Sequence, residues 1–359
     1  MPHLELASVS KAFKSNKVLD DISLAADAGE IVVIFGPSGT GKTVLLRLIA
    51  GVEEPTAGTI SIDDQDMADV APEHRDVGMA FQNFALFPHL DAFENIATPL
   101  RARAQSATQI REGVARVARL LKIDHVLGHA PRQLSNGQKQ RTALARALAS
   151  SPKLLLLDDP LRNVDAKLRF EMRLELPRLL REAGSTVLYV TQDYKEAMAL
   201  ADRIAVLANG KFVQIASPDE IYRHPATVNV ARLFGDPTIN LIETTVGEGT
   251  TIDLAGETVE IDKAYAGLKG RPVTFGVRPE AVELGLGAGL KARVMAVTPL
   301  NERTVLLLQT RGGAELLASL PSSSPAIPKA ESEVAISFNP IGTHLFDRET
   351  GSALARGRA

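Results

Sequence analysis

The hydrophobic pattern divides the chain into two parts with different periodicities. Up to about residue 235, short continuous apolar runs alternate with segments whose apolar residues recur at helical spacing. Runs such as Ile31–Phe35 and Leu154–Leu157 indicate buried parallel strands, whereas the spacing of Ile110, Val114 and Val117 indicates an amphipathic helix. Strands alternating with helices are typical of a three-layer α/β domain built on a parallel sheet.

The pattern changes after Asp236-Pro237, where short alternating segments separated by Gly and Pro turns replace the helical spacing. This predicts a small all-β barrel. The sequence therefore predicts an α/β domain at 1–235, with a helical subdomain at about 84–150, and a β domain at 236–359. The strands predicted in the second domain are Thr251–Leu254, Val273–Val277, Ala292–Val297, Thr304–Gln309 and Glu333–Phe338.

A glycine-rich stretch lies between the predicted strand Ile31–Phe35 and a predicted helix. It has the pattern G-x-x-x-x-G-K-[ST] of a P-loop, whose backbone N–H groups surround the phosphates of a nucleotide. A P-loop lysine reaches the β- and γ-phosphates and the following hydroxyl ligates Mg²⁺. A chance glycine-rich turn is the alternative, but the flanking strand and helix favour the P-loop. The predicted nucleotide-binding residues are Gly36, Pro37, Ser38, Gly39, Thr40, Gly41, Lys42 and Thr43.

Two further motifs precede and follow the apolar strand near residue 155. The strand ends in Asp158, where a P-loop enzyme needs a carboxylate for Mg²⁺. Upstream, the Ser135 hydroxyl and the Gly137 N–H stand at a predicted helix start and indicate a second anion site. The alternative is an ordinary helix cap, in which Ser135 and Gln138 form a capping box.

Two apolar features, the aromatic residue Phe13 and the loop Phe84–Leu90, can each be interpreted in two ways. Phe13 lies in a strand between polar residues, either as a half-buried strand aromatic or as a face on which adenine stacks. The loop Phe84–Leu90 is unusually apolar, so it either packs in the core or docks another protein.

The composition limits the possible partners and environments. The net charge of −3 lacks the excess of basic residues that is typical of nucleic-acid-binding proteins. We therefore do not expect nucleic acid as a partner. The chain has no cysteine, which excludes disulfides and thiolate metal sites. The sequence shows no secretory signal and no apolar stretch long enough to span a bilayer. We therefore expect a soluble protein, or one bound to a membrane only through a partner.

With these motifs in place, the chain resembles the ATPase subunits of ABC transporters over essentially its whole length. The matching positions, in chain order, are the P-loop, the Q-loop glutamine Gln82, the signature Leu134–Gln138, the D-loop Leu161–Asp165 and the switch-loop position Gln192. In addition, Phe275–Glu280 and Ile221–Leu241 resemble the barrel segment and the linker of maltose-type and glycerol-phosphate-type importer ATPases, particularly those for glycerol or polyols.

The resemblance implies a fold and a mode of action. The fold is an α/β P-loop NTPase domain, with a RecA-like core and a helical subdomain, followed by an OB-like barrel of the TOBE type with a regulatory role. Two ATPase domains pair head to tail, so that each ATP lies between one P-loop and the partner's Ser135, Gly137 and Gln138. Gln82 joins Thr43 and Asp158 as a ligand of Mg²⁺.

The resemblance also implies partners and a location. Two membrane-spanning permease subunits contact the groove beside the Q-loop and move when the ATPase pair closes on ATP. A separate extracytoplasmic binding protein delivers a sugar, glycerol or polyol. The chain is then a peripheral protein on the cytoplasmic face of the bacterial inner membrane.

The chain departs from the family at four positions: Asp159 replaces the catalytic glutamate, Gln192 the switch histidine, Asn136 the first signature glycine and Arg162 the D-loop serine. Asp159 is one methylene shorter than glutamate, and Gln192 cannot carry a proton or a charge. With Gln82, these two are the candidate catalytic residues, and we expect a site that binds ATP well and hydrolyses it slowly.

The departures divide between two sites, because Asp159 and Gln192 serve the chain's own P-loop whereas Asn136 and Arg162 serve the partner's. We therefore expect a heterodimer with a second, different ATPase subunit. The alternative function is a nucleotide-binding regulatory or scaffold subunit with little hydrolysis of its own.

Overall fold

The computed structural model of the chain describes residues 3–248, 250–254, 256–285, 289–324 and 326–354. The chain forms two compact units, Met1–Pro218 and Asp219–Ala359. Residues 219–235, which the sequence analysis placed with the first domain, therefore belong to the second unit. Among the described residues, no helix combines the length and the apolar character needed to cross a membrane.

The first unit contains strands and helices in alternation. Its strands are β1 (Leu4–Phe13), β2 (Asn16–Ala26), β3 (Ile31–Phe35), β4 (Ala57–Ile62), β5 (Gln65–Asp66), β6 (Val77–Ala80), β7 (Leu154–Asp158), β8 (Thr186–Thr191), β9 (Arg203–Ala208) and β10 (Lys211–Ala216). Its helices are α1 (Lys42–Ile49), α2 (Ala92–Ala102), α3 (Ala107–Leu120), α4 (Asn136–Leu148), α5 (Ala166–Ala183) and α6 (Tyr194–Leu200).

The larger sheet of this unit has the order β10-β9-β3-β8-β7-β6 and is parallel except for β10. Every residue of β3, β7 and β8 is buried, which is why these strands are continuous apolar runs rather than alternating ones. The α/β prediction is confirmed. Because the carboxyl ends of parallel strands meet at one edge, the segments that follow β3, β7 and β8 converge there.

The smaller sheet has the order β2-β1-β4-β5 and is antiparallel. The hydrophobic pattern predicts strands at Leu4–Val9 and Ile22–Ala25, and β1 and β2 extend beyond both segments. The pairing of β1 with β2 contains register shifts, and Ser8 has a φ of 52°. Such bulges interrupt the two-residue alternation, so the polar ends of these strands did not look like strands in the sequence.

The helical subdomain consists of α2, α3 and α4, which contact one another. Ser106 and Gln109 form a capping box at the start of α3, and Ser135 and Gln138 form one at the start of α4. The predicted start of α4 at Ser135 therefore agrees with the structure. Helix α2, which contains Pro99, was not predicted from the hydrophobic pattern.

The second unit contains mainly strands. They are β11 (Asn240–Thr245), β12 (Thr251–Leu254), β13 (Glu257–Glu260), β14 (Pro272–Val277), β15 (Val282–Gly285), β16 (Leu290–Leu300), β17 (Arg303–Thr310), β18 (Glu315–Pro321), β19 (Glu333–Phe338) and β20 (Thr343–Asp347). Two short helices, α7 (Pro218–Arg223) and α8 (Val228–Leu233), precede them.

These strands form antiparallel sheets with the orders β11-β14-β20, β12-β13 and β15-β19-β16-β17-β18. Val273, Phe275, Leu306 and Leu345 belong to one buried cluster that draws on all three sheets. The predicted all-β character of the second domain is confirmed, and β12 and β19 have the predicted bounds. The strands that the sequence analysis missed, such as β13 and β15, are short and carry exposed polar residues.

Arg278 fixes residues 219–235 within the second unit. Its side chain is almost fully buried; Nη1 donates hydrogen bonds to Ala231 O at 2.9 Å and to Phe234 O, and Nη2 donates to Tyr222 O at 2.9 Å. The guanidinium carbon lies 4.0 Å from the centre of the Tyr222 ring. Removal of this side chain would take one donor group away from three carbonyl oxygens at once, so its role here is structural.

Candidate functional site

The loop between β3 and α1 depends on two glycines for its path. A Cβ atom on Gly36 would lie 2.3 Å from Leu207 O, so only glycine allows this close approach to β9. Gly41 has a φ of 100°, in the left-handed region that favours glycine, and it precedes α1 without a side-chain cap. The first N–H groups of α1 are therefore available to an anion.

Lys42 places its ammonium group inside the loop. Its side chain is buried, and Nζ donates hydrogen bonds to Gly36 O at 2.7 Å and to Pro37 O at 2.6 Å. Burial lowers the pKa of Lys42, whereas the charges of Asp159 and Asp158 raise it. The loop therefore keeps a cation next to the helix N-terminus, where the phosphates of a nucleotide are predicted to bind.

Thr43 and Asp158 meet across the edge of the sheet. Thr43 Oγ1 donates a hydrogen bond of 3.0 Å to Asp158 Oδ1, and Asp158 is buried at the end of β7. Burial raises the pKa of Asp158, and the bond from Thr43 acts in the opposite direction. Mg²⁺ is usually held by one or two carboxylates together with substrate phosphates and water. A hydroxyl and a carboxylate at this separation fit that arrangement.

A cavity of about 240 Å³ lies at this edge of the sheet. Its lining combines the P-loop, the end of β7 and the residue that follows β8. The predicted site residues that it brings together are Ser38, Gly39, Gly41, Lys42, Thr43, Gln82, Asp158, Asp159 and Gln192. Gly36, Pro37 and Thr40 belong to the same loop. Their roles in binding nucleotide and Mg²⁺ stay predictions.

Four predicted nucleotide-binding residues lie outside both the P-loop and the cavity lining. Phe13 is 42% exposed and lies 4.8 Å below the ammonium of Lys11, so the structure neither buries it nor pairs it with the P-loop. Ser135 Oγ accepts from Gln138 N at 3.2 Å and Gln138 Oε1 accepts from Ser135 N at 2.9 Å, as in a capping box. Gly137 packs against Leu168 of α5. Contact of these residues with a nucleotide, including contact across a dimer, stays a prediction.

Asp159 follows Asp158 in an uncommon backbone conformation. Its φ of 43° is in the left-handed region, which aspartate occupies more readily than most residues. Its N–H donates to Val190 O at 2.9 Å, which ties the turn to β8. Burial raises the pKa of Asp159 to about 6, and the positive charge of Arg162 opposes this shift. A carboxylate with a pKa near 6 is suited to general-base work at neutral pH.

Gln192 is joined to the P-loop from the end of β8. Ser38 Oγ donates a hydrogen bond of 2.6 Å to Gln192 Oε1. The amide nitrogen is the remaining polar group of this side chain, and it can donate to a phosphate oxygen but cannot transfer a proton.

The predicted role of Arg162 in the partner's site stays a prediction. In the structure its side chain lines the cavity of its own P-loop. Arg162 Nη1 lies 3.9 Å from Asp159 Oδ2. The reason is the tight turn after β7, in which Arg162 N donates to Asp159 O at 3.2 Å and returns the chain towards the cavity.

Glu196 is a buried residue beside the site that the sequence analysis missed. Its Oε2 accepts hydrogen bonds from Tyr189 Oη at 2.8 Å and from Thr191 Oγ1 at 2.9 Å. Thr191 Oγ1 also accepts from Asp193 N at 3.0 Å, so Glu196 supports both neighbours of Gln192. In the sequence, Asp193 and Glu196 have the spacing of a helix capping box, which hides this role.

Burial raises the pKa of Glu196 to about 7, while its bonds from Tyr189 and Thr191 oppose the shift. The folded protein therefore holds a proton that the unfolded chain releases between about pH 4.5 and pH 7, and stability falls as the pH rises through this range. Between pH 5 and pH 7, the raised pKa of Glu196 should lower the free energy of unfolding by about 2 kcal/mol.

Glu196→Gln should remove this part of the pH dependence, because glutamine resembles the neutral acid. We expect the variant to gain stability relative to the wild type as the pH rises from 5 to 7, measured by chemical denaturation of the full chain. Glu171→Gln, at an exposed position on α5, is the matched control. An unchanged pH slope in Glu196→Gln would show that Glu196 is ionised throughout.

The apolar loop Phe84–Leu90 lies at the surface of the helical subdomain. Phe87 is 44% exposed, and its backbone N–H and carbonyl are held by the side chain of Asn95 at 2.8 and 3.2 Å. Arg146 donates to Phe84 O at 3.0 Å and to Ala85 O at 2.6 Å. The loop is thus held by polar contacts while an aromatic ring remains accessible, which favours the docking interpretation over core packing.

Comparison with protein families identifies three matching regions. Residues 19–162 match the family described as ABC transporter. Residues 235–282 match the MalK OB fold domain, and residues 275–346 match the TOBE domain. The first match contains the P-loop, Gln82 and Asp158, and the other two cover the strand-rich second unit.

Two similar proteins match along their full length. The sn-glycerol-3-phosphate import ATP-binding protein UgpC of Yersinia pseudotuberculosis is 39% identical, over 98% of this chain and 99% of its own. The trehalose/maltose import ATP-binding protein MalK of Thermococcus litoralis is 38% identical, over 99% of this chain and 100% of its own.

A solved structure agrees with these matches. It is a dimeric ATP-binding cassette in a post-hydrolysis state, bound to ADP and phosphate. It is 33% identical to this chain, has a TM-score of 0.55, and covers 60% of this chain and 98% of its own. The cavity at the P-loop, the two kinds of domain and the full-length relatives lead to one assignment: the chain belongs to the ABC transporter family, as an ATP-binding subunit with an ATPase domain and a C-terminal OB-type TOBE domain.

Proposed function

We propose that this chain binds and hydrolyses ATP to drive the import of a small polar solute, either a polyol phosphate or a sugar. The cavity that brings Lys42 and Thr43 together with Asp158 carries this proposal. The names of the two full-length relatives, which import sn-glycerol 3-phosphate and trehalose or maltose, support the solute class. Glycerol 3-phosphate and a disaccharide are therefore the first solutes to test.

The residues of the cavity divide the chemistry among them. The N–H groups of the P-loop and Lys42 bind the phosphates of ATP, and Asp159 accepts a proton from the attacking water. Gln192, held by Ser38, donates its amide N–H to the γ-phosphate. Thr43, Asp158 and Gln82 would hold Mg²⁺, which would neutralise the negative charge that develops on the phosphates.

The predicted partners follow from the import function. An import ATP-binding subunit acts with membrane permease subunits, and we propose two, docked on the loop Phe84–Leu90. They would hold the chain at the cytoplasmic face of the inner membrane as a peripheral protein. An extracytoplasmic solute-binding protein would deliver the solute to the permease and would not touch this chain.

The chain needs a second ATP-binding domain as a partner if each ATP is to lie between two such domains. The similar solved structure is described as dimeric, which supports a pair of ATP-binding domains. The comparisons give no support to the second, different ATPase subunit that the sequence analysis favoured. The position of Arg162 also weakens the division of defects between two sites on which that expectation depended. We propose instead that two copies of this chain pair.

A second candidate function is regulatory nucleotide binding with little turnover. The replacement of the usual glutamate and histidine by Asp159 and Gln192 favours it, as does the approach of Arg162 to Asp159 at 3.9 Å. Slow but measurable phosphate release that depends on the permease subunits would support the import function over this alternative.

An uptake assay with a charge placed at Phe87 tests the import function. Phe87→Asp should abolish solute uptake by cells that express the full transporter, because the accessible ring can no longer enter an apolar pocket of the permease. ATP binding by the purified chain should not change. Phe170→Asp is the matched control, because Phe170 is an exposed phenylalanine on α5.

Two outcomes would contradict the proposal. Normal uptake in Phe87→Asp would show that the loop is not a docking surface, and a loss of the folded chain would show that it is core. Absence of uptake of both glycerol 3-phosphate and maltose by the wild-type transporter would reject the proposed solute class.

A further inference from the structure

The P-loop cavity contains a cation to which the proposed mechanism gives no task. Among the described residues that line it, Lys42 and Arg162 carry positive side chains. Lys42 belongs to the P-loop and bonds its carbonyl groups, whereas Arg162 approaches from the turn after β7. The phosphates of a nucleotide in this cavity would therefore meet cations from two separate elements.

The contacts of Arg162 place its guanidinium beside Gln82. With the Gln82 amide oriented to satisfy its neighbours, Arg162 Nη1 and Nε each donate to Gln82 Oε1 at 3.2 Å. The next residue also contacts Gln82: Asn163 Nδ2 donates a hydrogen bond of 2.8 Å to Gln82 O. The turn after β7 thus holds Gln82 by both its side chain and its backbone.

These contacts leave the charge of Arg162 poorly compensated. Its acceptor is a neutral amide, and the ion pair recorded for it among the described residues is the 3.9 Å approach to Asp159. The side chain is also 46% exposed. A guanidinium presents a planar fork of donors that suits two phosphate oxygens at once. A charged phosphate oxygen is a stronger acceptor than the amide oxygen that the fork now contacts.

We propose that Arg162 recognises the terminal phosphate of a nucleoside triphosphate bound to the P-loop of its own chain. Lys42 reaches the β- and γ-phosphates from the P-loop, and Arg162 contacts the γ-phosphate from a second element, the turn after β7. Transfer of the guanidinium from Gln82 to this phosphate also releases Gln82 Oε1. A diphosphate lacks the group that Arg162 contacts, and Arg162 therefore distinguishes ATP from ADP. The inference rests on the proposed function, because it needs a nucleotide in this cavity.

The test compares the affinities of Arg162→Ser for ATP and for ADP by calorimetry, without Mg²⁺ so that ATP is not consumed. A hydrogen bond to a charged group contributes about 1.5–3 kcal/mol, so ATP affinity should fall by about 10- to 100-fold. ADP affinity should stay within about twofold. Arg162→Lys should lie between the two, because lysine keeps the charge but not the fork.

Matched variants separate this role from others. Arg178→Ser, at an exposed arginine of α5, should leave both affinities unchanged. If Arg162 acts only by holding Gln82, then Gln82→Ala should reproduce the loss and Arg162→Ser should add nothing to it; that result would overturn the inference. Equal losses for ATP and ADP would also overturn it, because they indicate a general electrostatic effect.

The same experiment separates a failure of the proposed function from a failure of the role given to Arg162. If Lys42→Ala loses both nucleotides while Arg162→Ser loses neither, nucleotide binding stands and the role of Arg162 is rejected. If the wild type binds neither nucleotide, the proposed function itself fails. Should Arg162→Ser not fold, the comparison of ATP with ADP is made with Arg162→Lys, and an unchanged ratio of the two affinities rejects the inference.

Discussion

Lys42→Ala is expected to lower the affinity of the chain for ATP by about 10²- to 10⁴-fold, because two charge-assisted contacts to the β- and γ-phosphates are lost. In the structure the ammonium is buried within the loop and donates hydrogen bonds to Gly36 O and Pro37 O, whereas Arg162 approaches the cavity from a different element. Calorimetric titration of the full chain with ATP, with and without Mg²⁺, measures the effect.

Two further variants control this prediction. Lys269→Ala removes an exposed lysine in the second unit and should leave ATP affinity unchanged. Asp158→Asn should weaken binding in Mg²⁺ but have little effect in a chelator, because its predicted partner is the metal. Unchanged ATP affinity in Lys42→Ala would contradict the P-loop assignment. Equal losses of ATP affinity in Asp158→Asn, with Mg²⁺ and with a chelator, would contradict the role of Asp158 as a metal ligand.

The double variant Asp159→Glu, Gln192→His is expected to raise ATP hydrolysis by about 10²-fold. The added methylene extends the carboxylate by roughly 1 Å, and a misplacement of this size can cost about 10²-fold in rate. The imidazole restores a group that carries a proton next to the γ-phosphate, where Gln192 offers only an amide. Steady-state phosphate release by the wild type, both single variants and the double variant measures the gain.

Each single change should recover less than the double change, because the two groups act on one water and one phosphate. Glutamate adopts a φ of 43°, the value found at residue 159, less readily than aspartate does. This backbone preference limits the gain from Asp159→Glu alone. Asp69→Glu, at an exposed position, should have no effect. Rapid hydrolysis by the wild type that the double change does not alter would show that Asp159 is a sufficient base.

Local sequence was enough to predict the elements whose residues are buried on every side or capped by their own neighbours. The predicted strand Ile31–Phe35 forms β3 with the same bounds, and Ser135 begins α4 as its spacing to Gln138 indicated. In these segments, burial or a bond between residues three apart leaves a signal within a few positions of the chain. The P-loop could be predicted for the same reason, because its whole motif is contiguous.

Elements stabilised by distant partners were not predictable in this way. The polar half of β1 is a strand because β2 and β4 pair with it, and the register shifts in that pairing hide its alternation. Helix α2 contains Pro99 and packs against α3 and α4. Residues 219–235 belong with the second unit through Arg278, whose acceptors are more than 40 residues away in the chain.

The sequence alone determined that this chain carries a nucleotide-binding loop on a parallel sheet, followed by a β domain, because each of those features is a local pattern. The tertiary structure decided which side chains share the cavity. It placed Arg162 beside Gln82 and Asp159, and it buried Glu196 behind Gln192. The physical reason is the parallel sheet itself, which gathers at one edge the loops of strands that lie far apart in sequence, and the direction of each side chain there depends on turns that no local pattern specifies.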